Sequence, residues 1–316
     1  MSSKILITMG DPAGVGAEVA LKAYLAGIKD LVFVGHTGVL EEALLLLNAK
    51  VQLNKISTPK DAIPDALNII PFNETEHFVK CKPTAAAGRA SVAYIEKAVE
   101  FLLKQEGKAL VTAPISKESL KLANINFPGH TELLAHLTGT KEYAMMLCGG
   151  PLRVILVTIH TALKKVPALI TQSSVLKTIK LAQKAALMLG LPNPRIAVAG
   201  LNPHAGEEGL FGDEEITEIK PAIAMAQKLG IPVDGPYPPD TIFYKAYNGK
   251  VDIIVAMYHD QGLIPLKMIA FDHGVNITIG LPFIRVSPDH GTAYDIAWTG
   301  KANPDSMIEA IKFCEG

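Results

Sequence analysis

The sequence predicts an α/β protein with a largely parallel sheet, on three observations. Short β-branched or apolar runs recur from end to end, and longer amphipathic stretches separate them. The runs read as continuous rather than alternating, which is the pattern of strands covered on both faces. Strands are expected at residues 5–8, 31–34, 109–112, 154–159, 196–199, 253–256 and 276–279. Helices are expected at 85–104, 175–189, 214–229 and 305–313, the last with Asp305 directly after Pro304, a good helix start.

At 316 residues the chain exceeds the roughly 100–200 residues of one domain, so two lobes are expected. No repeat, low-complexity tract or Gly/Ser linker marks their boundary. A break between 129 and 150 and a return near the C-terminus fit the pattern, and the division is drawn as 1–130 with 285–316 against 131–284. In such two-lobed proteins the active site lies in a cleft between the lobes, beyond the carboxyl ends of the strands.

Lys and Arg number 30 against 31 Asp and Glu, a formal net charge of -1. So balanced a surface gives no case for nucleic acid or an anionic membrane as partner. Cys81, Cys148 and Cys314 are odd in number, widely spaced and without a C-x-x-C pair, against a disulfide framework or a zinc motif. The N-terminus lacks a signal-peptide pattern, and no apolar stretch approaches the ~20 residues of a membrane helix. The expectation is a soluble cytoplasmic protein.

Three apolar runs each lead into a histidine: VILVTI before His160, IAVAGLNP before His204 and IIVAMY before His259. If the runs are parallel strands, the imidazoles share one sheet edge. One histidine after a strand is ordinary loop polarity. Three together suit a catalytic zinc or similar divalent ion, with positions left open for substrate. Groups suited to an anionic substrate surround them. Gly129-His130-Thr131 opens a helix pattern, so its backbone N–H groups can face an anion. Lys267 and Arg285 supply positive charge, and Asn276 can hold a carboxylate or hydroxyl.

Other motifs are plainer. Gly10-Asp-Pro-Ala-Gly-Val-Gly16 lies between a strand and a helix but is neither a dinucleotide fingerprint nor a P-loop. It reads as a tight turn, with direct ligand contact as the alternative. Gly35 and Gly38, which bracket His36, read as turn residues. No G-x-S-x-G elbow exists, and Cys148 reads as a buried small hydrophobe, so a hydrolase is disfavoured.

Long segments then carry a resemblance over nearly the whole chain. They are Gly10–Gly16, APISK at 113–117, GHTE at 129–132, GLNPHAG at 200–206, PDT within 235–243, MYHDQG at 257–262 with PLK at 265–267, and GLPFIRVSPDHG at 280–291. On these the chain resembles the 4-hydroxythreonine-4-phosphate dehydrogenases of pyridoxal 5′-phosphate biosynthesis. The resemblance implies oxidative decarboxylation of 4-phosphooxy-L-threonine by NAD or NADP, giving 3-amino-2-oxopropyl phosphate and CO2. It implies one divalent ion (zinc, magnesium or cobalt) on His160, His204 and His259, and substrate contacts at His130, Thr131, Lys267, Asn276 and Arg285. It implies a homodimer whose subunits both contribute to each metal site, through the lobe at 131–284. Among the catalytic candidates the general base stays open between Asp240 and Asp260, with Lys267 as a proton donor.

A wider kinship adds the cofactor. His290-Gly-Thr-Ala-Tyr-Asp-Ile-Ala297 followed by Ala302-Asn-Pro304 is similar to a segment of the isocitrate and isopropylmalate dehydrogenases. That likeness places cofactor contacts at His290, Gly291, Asp295 and Asn303, and implies their two-lobed fold. Three departures stand out. Ala17 replaces a usual Pro, the His160 segment reads TIHTAL, and Trp298-Thr299 replaces a small, Gly-containing pair, which bears on cofactor fit. Two other readings remain: a dehydrogenase of threonate or erythronate 4-phosphate, and a phosphate acyltransferase. A binding protein without catalysis is disfavoured by the intact polar set.

Overall fold

The computed structural model describes residues 4–72 and 77–315. In chain order they form β1 (Ile5–Thr8), α1 (Gly16–Leu25), β2 (Leu31–His36), α2 (Thr37–Leu46), β3 (Leu53–Lys55), β4 (Leu67–Phe72), α3 (Ala85–Leu103), β5 (Ala109–Thr112), α4 (Lys117–Leu122) and α5 (His130–Thr138). Next come β6 (Ala144–Gly149), β7 (Leu152–Leu156), α6 (Val166–Leu169), α7 (Gln172–Met188), β8 (Ile196–Ala199), α8 (Lys220–Lys228), β9 (Val233–Tyr237), α9 (Pro239–Tyr247), β10 (Ile253–Ala256), α10 (His259–Ala270) and β11 (Val275–Ile279). β12 (Ile284–Pro288) and α11 (Asp305–Glu315) complete the chain.

Two compact units result: one up to Lys141 together with Leu281 onward, the other Glu142–Gly280. The division falls at 141/142 and 280/281, where the sequence reading drew it at 130/131 and 284/285. α5 packs on α3 and so belongs with the first unit. No local signal at Gly129 announces that.

The first unit has the strand order β3-β4-β2-β1-β5-β12, every pair parallel. β1 and β5 are fully buried, as continuous apolar runs between helical layers should be. The crossovers diverge at β1 and β5, a switch point at which ligands sit in sheets of this kind. Thr84 starts α3 there, its Oγ1 accepting from Ala87 N–H at 3.1 Å.

In the second unit the order is β11-β6-β7-β10-β8-β9. β7, β10, β8 and β9 are parallel, while β6 runs antiparallel to both its neighbours. Its core joins Leu147, Val154, Leu156, Ile254, Ile242 and Leu266. Gly262 lets α10 lie close on the sheet, since a Cβ there would sit 2.7 Å from Val154 Cγ1.

Two elements depart from the sequence reading. The strand expected at 154–159 ends at Leu156, after which Val157 and Thr158 N–H follow the β10 edge to Ala256 and Met257 C=O before the chain turns away. The helix expected at 214–229 is a π turn (Glu215–Ile219) followed by α8. Pro221 lacks an N–H in its first turn, and Glu215 is drawn into hydrogen bonds elsewhere. No helix among the described residues is long and apolar enough to cross a membrane.

Candidate active site

The strand order of the second unit makes the histidine pattern physical. β7, β10 and β8 are adjacent and parallel. The segments carrying His160, His259 and His204 therefore leave the sheet at one edge. His259 is the first residue of α10, and the His160 and His259 ring centroids lie 5.6 Å apart. His259 Nδ1 meets Asp260 Oδ1 at 2.7 Å, a contact that fixes the ring and its tautomer. Both histidines line a cavity of ≈ 530 Å³ with Thr161, Leu163 and Tyr258.

His204 stands apart from that pair. It begins a left-handed run, with φ of 52° at His204, 54° at Ala205, 42° at Glu207 and 56° at Glu208, and its ring packs 6.1 Å from Phe211. Such a run of non-glycine residues is held only by what surrounds it. The holder is Glu215, buried, whose Oε1 accepts from the Leu201 and Asn202 N–H groups at 2.7 and 2.8 Å. Among the described residues no three His, Cys, Asp or Glu side chains meet as a metal-holding cluster. A single chain thus presents two imidazoles suited to a divalent ion, and three do not converge within it.

One hydrogen-bonded chain ties the three segments together. Thr158 N–H and Oγ1 donate to Met257 C=O at 3.1 and 2.8 Å. Met257 N–H donates to Gln261 Oε1 at 2.7 Å, and Gln261 Nε2 donates to Gly200 C=O at 2.7 Å. The sequence reading gave Gln261, Thr158 and Glu215 no part. Gln261 stands within the MYHDQG segment, but nothing local told a buried clamp from a surface amide.

Of the base candidates, Asp240 and Asp260 line one cavity of ≈ 870 Å³ with Phe243, Tyr258 and Gln261. Lys267 is half-buried on α10, its Nζ 5.8 Å from the Phe271 ring centre. Asn276, within β11, has a buried Oδ1 with no hydrogen-bond partner among the described residues.

The first unit gathers an anion-directed cluster. Arg285 on β12 is only 2% exposed, and its Nε and Nη2 donate to Thr112 Oγ1 at 3.2 and 2.6 Å. Burial pushes its guanidinium from its ordinary value down to about 9, with the Glu132 carboxylate opposing the change, so it stays charged at neutral pH. His130 and Thr131 open α5, where first-turn N–H groups have no partner within the helix. Burial, and then the positive Arg285, hold the His130 imidazole well below its ordinary 6.5. Its Nε2 is buried with no hydrogen-bond partner among the described residues. A neutral imidazole, a buried cation and a helix start form a set that accepts phosphate or carboxylate oxygens.

The Gly10–Gly16 segment is a tight turn. Gly10 has φ 67°, and a Cβ there would lie 2.3 Å from Pro114 O. Buried Asp11 accepts from Ala13 N–H, Ser119 Oγ and Tyr294 Oη, each at 2.8 Å. Val15 N–H donates to Thr292 C=O at 3.0 Å, which ties this turn to the segment carrying His290. His290 Nδ1 lies 3.0 Å from Gly291 O, and its Nε2 is buried with no hydrogen-bond partner among the described residues. Gly291 and Asp295 are exposed, while Asn303 Oδ1 accepts from Asp305 N–H at 2.9 Å at the start of α11. Gly35 is no turn residue: it lies within β2, and a Cβ would sit 2.1 Å from Met9 Cε.

Parallel strands whose carboxyl edges carry these polar groups define an α/β enzyme of small, anionic metabolites. The chain belongs to the family described as "Pyridoxal phosphate biosynthetic protein PdxA", which matches residues 27–314. It is 46% identical over 315 residues to 4-hydroxythreonine-4-phosphate dehydrogenase of Desulforapulum autotrophicum, covering 97% of this chain and 93% of that protein. It is 47% identical to D-threonate 4-phosphate dehydrogenase of Salmonella typhimurium, covering 98% and 97%. The crystal structure of 4-hydroxythreonine-4-phosphate dehydrogenase from Klebsiella pneumoniae superposes with a TM-score of 0.91 at 45% identity, covering 99% and 98%. The chain is accordingly a dehydrogenase, and a nicotinamide cofactor is the hydride acceptor that family implies.

Proposed function

We propose that the chain oxidises the C3 hydroxyl of 4-phosphooxy-L-threonine with NAD or NADP and releases CO2 and 3-amino-2-oxopropyl phosphate. The supporting observation is the adjacency of β7, β10 and β8, whose histidine segments are joined through Met257 and Gln261. Since one chain pairs only His160 with His259, the three-imidazole set is completed across a homodimer. Exposed apolar side chains at the far end of α10 support that assembly, with Met268 at 81% and the following Phe271 at 74% exposure. A divalent ion (zinc, magnesium or cobalt) in that site would supply Lewis acidity toward the C3 oxygen.

The residues of the chain account for the rest. Arg285, His130, Thr131, Lys267 and Asn276 take the phosphate and carboxylate, fixing C3 for attack. A bound nicotinamide would supply the hydride acceptor for C3–H, and the hydroxyl proton needs a base on this chain. Asp260 is engaged with His259 as its orienting carboxylate, so Asp240 takes the proton, and Lys267 serves as a proton donor. The resulting 3-oxo acid breaks its C2–carboxylate bond, the electron pair entering the carbonyl, and C2 is then protonated. His290, Gly291, Asp295 and Asn303 flank the cofactor.

D-threonate 4-phosphate is the second reading, favoured by the equal identity to the Salmonella protein. It differs only at C2, hydroxyl against amine. An anaerobic, metal-reconstituted assay that follows NADH at about 340 nm and CO2 together separates the two substrates. His204→Ala abolishes both signals while circular dichroism is unchanged. A variant with near-normal turnover refutes the metal assignment.

A further inference from the structure

We propose that Glu215 is a positioning residue for the reaction: its buried carboxylate sets the left-handed run at 204–208, and thereby the direction in which His204 is offered to the divalent ion. The role rests on the metal-dependent reading of the reaction and adds to it a residue that meets neither ion nor substrate.

The run is costly in itself. His204, Ala205, Gly206, Glu207 and Glu208 all have positive φ, and only Gly206 escapes the clash of a Cβ with the following carbonyl. A right-handed turn after Pro203 is the cheaper path, and it would carry the His204 ring in another direction. The ring is exposed, so its own burial does not account for the conformation. Outliers of this kind persist where the surroundings over-determine them, and they gather at functional sites.

Glu215 supplies the constraint. It is only 1% exposed and opens the π turn at Glu215–Ile219, a widened turn of the kind found at functional sites. Beyond the two main-chain bonds to Oε1, its Oε2 accepts from Asn202 Nδ2 at 3.0 Å, and Glu214 Oε2 shares that amide at 2.6 Å. The fit is close on both sides of His204. A Cβ on Gly200 would lie 3.0 Å from Glu215 Oε1, and one on Gly206 would lie 2.7 Å from Oε2. The carboxylate therefore lies against the backbone before and after the histidine, and the run cannot relax to the right-handed form while those contacts hold. These donors are neutral, and an apolar side chain would fill the space without burying a charge. The carboxylate is thus explained by the loop it holds. Gly200 C=O in turn accepts from Gln261, so the hold on His204 is continuous with the chain of bonds that reaches the His259 segment.

Cobalt(II) alone, titrated into the full-length protein after chelator treatment and followed by the visible absorption of the bound ion, tests the role without turnover. Glu215→Leu is expected to weaken cobalt binding about 10- to 100-fold, the range for removing a group that supports a metal ligand. Glu215→Gln keeps an acceptor for both main-chain N–H groups and should stay within about fivefold of wild type, the worth of one weakened hydrogen bond. Glu215→Asp keeps the charge but draws its oxygens back by one methylene, so it should weaken binding more than Glu215→Gln does; it decides the matter where Glu215→Leu does not fold. In a His204→Ala background Glu215→Leu or Glu215→Asp should change cobalt affinity no further, because a residue acting through His204 has nothing left to position. Wild-type affinity in a folded Glu215→Leu or Glu215→Asp, with His204→Ala weakened, overturns the proposal and leaves the metal site standing. A further loss in the double variant also overturns it, since Glu215 then serves the fold at large. Wild-type cobalt affinity in His204→Ala refutes the metal assignment itself, and the role of Glu215 falls with it.

Discussion

Replacing Arg285 by Met separates a structural cation from a functional one, because the two roles predict opposite signs. Burial lowers the guanidinium from its ordinary value to about 9. At about 1.36 kcal/mol per unit, keeping the ion charged in the fold costs roughly 5 kcal/mol. The sign is that of a base with a depressed value. Above pH 9 the unfolded chain binds the extra proton, so this cost is full at pH 7 and shrinks only above pH 9. Met retains an apolar stem and forfeits the hydrogen bonds to Thr112, worth about 1–2 kcal/mol. Arg285→Met should therefore be more stable by roughly 3 kcal/mol in urea unfolding at pH 7, within the range found when buried charges give way to hydrophobic groups. Catalysis moves the other way. Loss of two charge-assisted hydrogen bonds to the substrate anion, about 1.5–3 kcal/mol each, lowers kcat/KM by about 10²- to 10⁴-fold. A variant that loses stability while keeping its kcat/KM would show that Arg285 serves the fold and not the substrate.

Two further outcomes follow from the same structure. Gln261→Leu leaves Met257 N–H and Gly200 C=O buried without partners, so unfolding in urea should show a loss of about 2–5 kcal/mol. Gln261→Glu, which still accepts from Met257, should lose less stability, and equal losses would remove the clamp role. His130 stays neutral in the fold while the unfolded chain takes up a proton below pH 6.5, so stability falls as pH drops through that value. The fall is at most about 1.4 kcal/mol per pH unit, and His130→Gln should flatten it. An identical pH dependence in that variant would refute the perturbed imidazole.

Much of the fold could be read from local pattern. β1, β5, β8 and β10 begin and end where their apolar runs do, because a strand buried on both faces must be continuously apolar. β6 was not anticipated: Ala144-Met-Met-Leu-Cys-Gly149 has no β-branched residue, and its antiparallel pairing comes from its neighbours. The strand-end histidines were legible for the same reason as the strands, since in a parallel sheet a residue after a strand always lies at the carboxyl edge.

Which residues meet was decided elsewhere. The sequence by itself determined the α/β class and the polar groups at the strand ends, because periodicity and local chemistry are properties of short segments. Only the tertiary structure set His160 beside His259, turned His204 away on a left-handed run and inserted Gln261 between two of the histidine segments. Those outcomes depend on strand order and on buried hydrogen bonds between residues about 60 positions apart, such as Gln261 and Gly200. No local pattern encodes such pairings; they arise when buried polar groups must find partners as the sheet closes.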